Sequence, residues 1–287
     1  MIQRFLLLSL ALLLSFSHCL PAAAQEGGSI DLYGESHANP SILERELELW
    51  NACYHQDGMR HLFIELPYYT GEFLNLWMQS DDDILLDQVY NDWAGSASYS
   101  TYVKFFYQAI KEQCPETVFH GTDVGHQYQT TGARYLALLE SQGMQDSESY
   151  ALALENIEQG KQFYRSGEDV YRENQMVANF IRAYESLEEA DVMGIYGSAH
   201  THLNALDYSG QVENMATQLA ARYGERLHSK DLSHIEKEGK DCLLYTSLRQ
   251  RLRHPQGPHR QRSVRRNLLF QGHLSAPQGQ PRRLVRR

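Results

Sequence analysis

Two hydrophobic periods alternate along this chain. Short apolar runs occupy residues 29–33, 60–66, 117–120 and 192–196, and each is bounded by Gly, Pro or polar residues. They read as buried strands. Between them lie longer stretches with apolar residues at helical spacing. Asn39-Pro40-Ser41 opens the first, in which Ile42, Leu43, Leu47, Leu49 and Trp50 form the apolar side and Glu44, Glu46 and Glu48 the outer one, until Gly58 stops it. Residues 71–78, 82–93, 99–113, 133–141, 147–164, 167–190 and 212–227 follow as further helical segments. Strands separated by helices predict a single layered α/β domain: a mostly parallel sheet flanked by helices, with helical insertions.

The two ends of the chain depart from this pattern. Residues 1–24 have the form of a secretory signal: Arg4, an apolar run over 5–16, and Ala22-Ala23-Ala24 as a cleavage site. The run is short for a membrane span, and His18 stands before Cys19 where a lipidation signal carries a small residue. The expected location is secreted, periplasmic or at the cell surface. From Leu243 onward there are 11 Arg, no Lys and no acid. The other 15 basic residues and all 36 acids lie before it, so the body carries 15 − 36 = −21. Residues 242–287 read as a disordered basic tail of out-of-frame or assembly origin, and residues 25–241 as the domain. An acidic body argues against nucleic acid as a partner. The expected partner is a small-molecule or peptide substrate, with no stable membrane insertion after signal cleavage.

Four strand ends carry the chemistry. Gly34-Glu35-Ser36-His37 closes the first strand and Gly197-Ser198-Ala199-His200 the last, 163 positions later. The second strand ends in Phe63-Ile64-Glu65-Leu66 and the third in His120, Asp123 and His126. In open α/β sheets ligands bind at the carboxyl ends of the strands. An acid inside an apolar strand is costly unless paired or metal-bound, and imidazole with carboxylate suits a divalent metal or general-base work on water. His55, His61, His202 and His228 read as capped or solvent-facing. In the helix after residue 167, Arg172 precedes Met176 by one turn. It is either a surface partner of Glu168 or Glu173, or a guanidinium aimed into the site.

Together, G-E-S-H, F-I-E, R-E-N-Q-M-V-A-N-F and G-S-A-H-T resemble the superfamily that joins erythromycin esterases, ChaN-type haem-binding lipoproteins, TraB/PrgY proteins and Tiki proteases. The resemblance runs from Ile30 to about Leu227. It implies that Glu35, His37, Glu65, Arg172 and His200 are the catalytic set. In the esterase-like branch the first-motif histidine activates water. In the Tiki-like branch the paired motifs go with a divalent metal, here held by His37, Glu65 and His200. In the ChaN-like branch they go with haem or iron, for which the chain lacks a clear lipobox. His120, Asp123 and His126 are the expected cofactor-binding residues.

Two functions from different classes follow. One is a secreted hydrolase of ester or peptide bonds that activates water at a His/Glu site, with a divalent metal as its candidate cofactor. The other is a non-catalytic haem- or iron-binding uptake protein. Export also permits a Cys53–Cys114 bridge at the amino edge of the sheet.

Overall fold

The computed structural model describes residues 27–235. The signal-like segment and the basic tail lie outside them. Five strands form one parallel sheet in the order β3-β2-β4-β1-β5: β1 (Ile30–Glu35), β2 (His61–Pro67), β3 (Val118–Asp123), β4 (Val192–Gly197) and β5 (Leu227–Asp231). β1 and β4 run in register from Ile30 opposite Val192 to Glu35 opposite Gly197. The expected layered α/β class is the one observed.

Alternation along the strands feeds two cores, one on each face. Leu62, Ile64, Met193 and Ile195 join a large cluster with helices α1 (Pro40–Gln56), α2 (Tyr68–Met78), α3 (Ile84–Asp92), α4 (Thr101–Gln113), α5 (Ala133–Ser141) and α6 (Glu148–Ser166). Ile30, Leu32, Phe63, Val192 and Tyr196 join a smaller one with α7 (Asp169–Glu185) and α9 (Met215–Tyr223). Every residue of β4 is buried, as expected of a central parallel strand covered on both faces. The short helix α8 (Ser198–Thr201) follows it directly.

Several local expectations are corrected. The helix expected over 212–227 is shorter, α9 (Met215–Tyr223), and Leu227 instead opens β5, an edge strand that the sequence pattern does not announce and that buries only Leu227. Its polar side chains hide it from a reading based on apolar periodicity. Glu46 was placed on the outer face of α1, yet it is fully buried. It lies four residues after Ile42 and four before Trp50, so the helical period carries it into the apolar stripe. Cys53 and Cys114 are buried free thiols, not a bridge. The Cys114 thiol instead faces Asn51 Oδ1 at 3.6 Å.

Candidate functional site

Strand order positions the site. β4 is inserted between β1 and β2, and β3 flanks β2 on its far side. The carboxyl ends of β1, β4, β2 and β3 are therefore neighbours, and the chain turns both ways from this point, where α/β sheets open a crevice. Two adjoining cavities of about 290 and 630 Å³ occupy it. Glu35, His37, Glu65 and Arg172 line both.

The two Gly residues that open the motifs are required by close approach. A Cβ at Gly34 would stand 2.2 Å from Thr201 Oγ1. One at Gly197 would stand 3.0 Å from His37 Nε2 and 3.2 Å from Glu65 Oε2. His37 is then turned by Ala38, which adopts the left-handed conformation with φ of 58°. That is uncommon for a residue with a Cβ and marks a fixed local geometry. Asn39 ends the turn by capping α1, its side chain accepting from the Ser41 amide at 3.1 Å.

Glu65 is the hub. Its Oε2 accepts the Gly197 amide at 2.5 Å and lies 3.8 Å from His37 Nε2. Its Oε1 accepts from Arg172 Nη2 at 2.5 Å and lies 3.5 Å from His200 Nε2. Burial opposes its ionisation, but His200, Arg172 and His37 together hold its carboxyl well below the usual range. Arg172 spends the rest of its fork on Asp123, with Nε at 3.0 Å from Oδ1 and Nη2 at 2.6 Å from Oδ2. Asp123 is buried too, and Arg172 and His126 overcome the burial penalty to keep it ionised.

Each imidazole of the core site is oriented by its own carboxylate. His37 Nδ1 meets Glu35 Oε1 at 2.7 Å. That bond raises the His37 pKa to about 9, against the opposing effect of burial and with help from Glu65. His200 Nδ1 meets Glu173 Oε2 at 2.6 Å. Burial resists its charging, but Glu65 and Glu173 raise its pKa to about 10. Both rings are thus held as imidazolium near neutrality. The 3.4 Å approach of Arg172 Nη1 to His200 Nε2 is then two cations sharing Glu65, not a hydrogen bond.

The structure brings Glu35, His37, Glu65, Asp123, His126, Arg172 and His200 to one crevice. His126 bridges Asp123 at 3.0 Å and the Tyr164 hydroxyl at 2.6 Å. His120 is not with them. It lies back along β3, 3.0 Å from His61 Nδ1 and stacked on Phe63, and burial pushes its pKa down to about 3. The strand continues to Asp123, so its carboxyl end lies three residues later than the sequence reading put it. Glu173 and Tyr164 were missed. The only signal for Glu173 was its place beside Arg172, where it had been weighed as a surface partner.

The donor set answers to cations already in the chain. Both oxygens of Glu65 and of Asp123 are engaged by Arg172, histidine or backbone amides. Among the described residues, no group of three or more His, Cys, Asp or Glu is disposed to hold a metal ion. A divalent ion bound by His37, Glu65 and His200 would sit against the Arg172 guanidinium, so this triad does not fit one. Both ring nitrogens of His126 are also engaged, which leaves it unsuited as an axial haem ligand. No helix among the described residues is long and apolar enough to cross a membrane.

No protein-family model matches the chain, and no curated protein matches it in sequence. Solved structures match its fold. A mutant of the erythromycin esterase EreC in its open conformation aligns with a TM-score of 0.53 and 12% identity, over 72% of this chain and 70% of that one. A succinoglycan biosynthesis protein aligns with a TM-score of 0.52 and 11% identity, over 70% of this chain and 64% of that one. A Bacillus cereus protein aligns at 0.49 and 12% identity, over 71% of this chain and 65% of that one. The chain thus spans just under two thirds of two of these proteins. At such identity the likeness establishes the fold, one it shares with an erythromycin esterase.

Proposed function

We propose that the protein is a hydrolase that activates water at His37 to cleave a carboxylic ester. One observation carries this reading: His37, fixed through Nδ1 by Glu35 at 2.7 Å, stands at the shared wall of the two cavities beside the cationic pair Arg172 and His200. The fold shared with an erythromycin esterase agrees with it.

The chemistry is general-base catalysis followed by electrostatic stabilisation. In its neutral form His37 keeps its proton on Nδ1, which donates to Glu35, and offers the Nε2 lone pair to water. The water loses a proton to Nε2 as its oxygen attacks the ester carbonyl. Negative charge gathers on the carbonyl oxygen, where Arg172 and the His200 imidazolium oppose it. The His37 proton then passes to the departing alkoxide, and carboxylic acid and alcohol leave. Glu65 positions all three cationic groups and takes no proton, because its carboxyl is held ionised. Export, a haem role and a divalent metal are separate expectations that this reading does not use.

The test is turnover of a panel of aliphatic and aryl esters, with peptides alongside, by wild type and His37→Ala. Ester hydrolysis that falls by about two orders of magnitude or more in His37→Ala at unchanged melting temperature supports the reading. Equal rates in the two proteins, or hydrolysis of peptides alone, would sink it.

A further inference from the structure

The smaller cavity has an inner wall that this chemistry leaves unused. Trp93, Phe106 and Tyr107 form its aromatic part. Glu46 lines it with them, shielded from bulk solvent, and neither of its carboxyl oxygens has a hydrogen-bond partner in the chain. The indole N–H of Trp93 is also buried and unpartnered. An orphaned buried carboxyl destabilises the fold, and a second unpartnered polar group on the same wall adds to that cost. Such groups persist where a ligand completes them.

The charge of the wall selects the ligand. Burial and the neighbouring acid Glu35 keep the Glu46 carboxyl well above its usual range. An anionic ligand group would meet two acids there. A group with N–H donors and positive charge would meet an aromatic wall and, once Glu46 gives up its proton, two open acceptor oxygens. We propose that this wall is a subsite for a primary or secondary alkylammonium group, held by the Glu46 carboxylate against Trp93, Phe106 and Tyr107. The amine enters as the ammonium ion, and Glu46 releases its proton to solvent as the ion pair forms. The Trp93 N–H takes an oxygen acceptor on the same ligand. As a substrate subsite this rests on the hydrolase reading; as a binding site it does not.

Binding therefore tests it. Butylammonium and butan-1-ol share a chain and differ in charge, and each is titrated calorimetrically into the full chain. Butylammonium should bind at least about tenfold more tightly than the alcohol, and Glu46→Gln should erase the difference. Equal affinities in the wild type overturn the proposal, and so does a preference that survives in Glu46→Gln. Glu46→Leu gives a second readout. Removing an orphaned acid should raise the melting temperature, whereas a fall would assign Glu46 a structural partner and overturn the proposal. An ammonium preference without any ester turnover fails the hydrolase reading and leaves the subsite standing. Ester turnover without the preference does the reverse.

Discussion

Glu173 joins His200 to the start of α9. One carboxyl oxygen accepts a hydrogen bond from His200 Nδ1 at 2.6 Å, and the other accepts the Met215 amide at 2.5 Å. A residue adjacent to Arg172 on α7 thus fixes the second imidazole of the site while satisfying a helix N-terminus. Glu173→Ala removes both. It leaves a buried cation and an open helix end, and should destabilise the fold by about 3 kcal/mol or more. Glu173→Gln keeps an acceptor for Met215 and should cost less. It should also lower the His200 pKa from about 10, which a ring-proton NMR titration reads directly.

The same pair makes stability depend on alkaline pH. The His200 pKa rises on folding from 6.5 to about 10. Its stabilisation is therefore whole below about 6.5 and is lost as pH climbs through about 10. His37 adds a similar dependence with a folded value of about 9. Thermal melts of wild type should fall steadily across this range, and His200→Asn should show a shallower fall. A flat wild-type profile would remove both imidazolium assignments.

Activity should run the other way. His37 can accept a proton only when neutral, and Glu35 raises its pKa to about 9. Ester turnover should therefore increase with pH towards about 9. Because the Glu35 hydrogen bond is the largest cause of the shift, Glu35→Gln should move the profile towards lower pH. A pH–rate profile unmoved by Glu35→Gln would mean that His37 is not the group being titrated.

The extent to which the sequence disclosed this site follows from how each part announces itself. Strand ends in a parallel sheet pass from apolar residues to Gly and then to His or acid, so Glu35, His37, Glu65 and His200 stood out. Strand order did not. Nothing in the local pattern says that β4 lies between β1 and β2, and that placement is what brings His37 and His200 together. His120 misled because an imidazole inside a strand, stacked on Phe63, has the same local spelling as one at its end. Glu46 misled because acids are assigned outward by habit, although the helical period placed it among Ile42, Leu43 and Trp50. β5 lacks the apolar alternation that marks a strand.

The role of Gly197 is steric. Its φ of −53° is one that any residue adopts, so Ala would not strain the backbone. The added methyl would stand 3.0 Å from His37 Nε2 and 3.2 Å from Glu65 Oε2. Gly197→Ala should therefore fold, with a melting temperature close to wild type, yet displace the His37 ring and cost roughly tenfold or more in turnover. A variant with full turnover would show that the position of Nε2 is not critical.

Arg172 is the most constrained member of the set. The sequence left it as a surface cation or a fork aimed at substrate, but its guanidinium is already divided between Asp123, which takes two of its nitrogens, and Glu65. Both partners are buried carboxylates, at 1% and 8% side-chain exposure. A lysine delivers one point charge and cannot span them. Arg172→Lys should therefore leave one acid poorly paired and destabilise the protein by about 3 kcal/mol, with Arg172→Met losing more. The loss should be largest near neutral pH. As pH falls and the two carboxylates protonate, the stabilisation they draw from Arg172 disappears in wild type as well, and the variants should converge on it. Melting curves of the three proteins from neutral to acid pH read this directly. A difference that stayed constant down to strongly acid pH would mean that Arg172 stabilises through packing of its stem, not through Asp123 and Glu65.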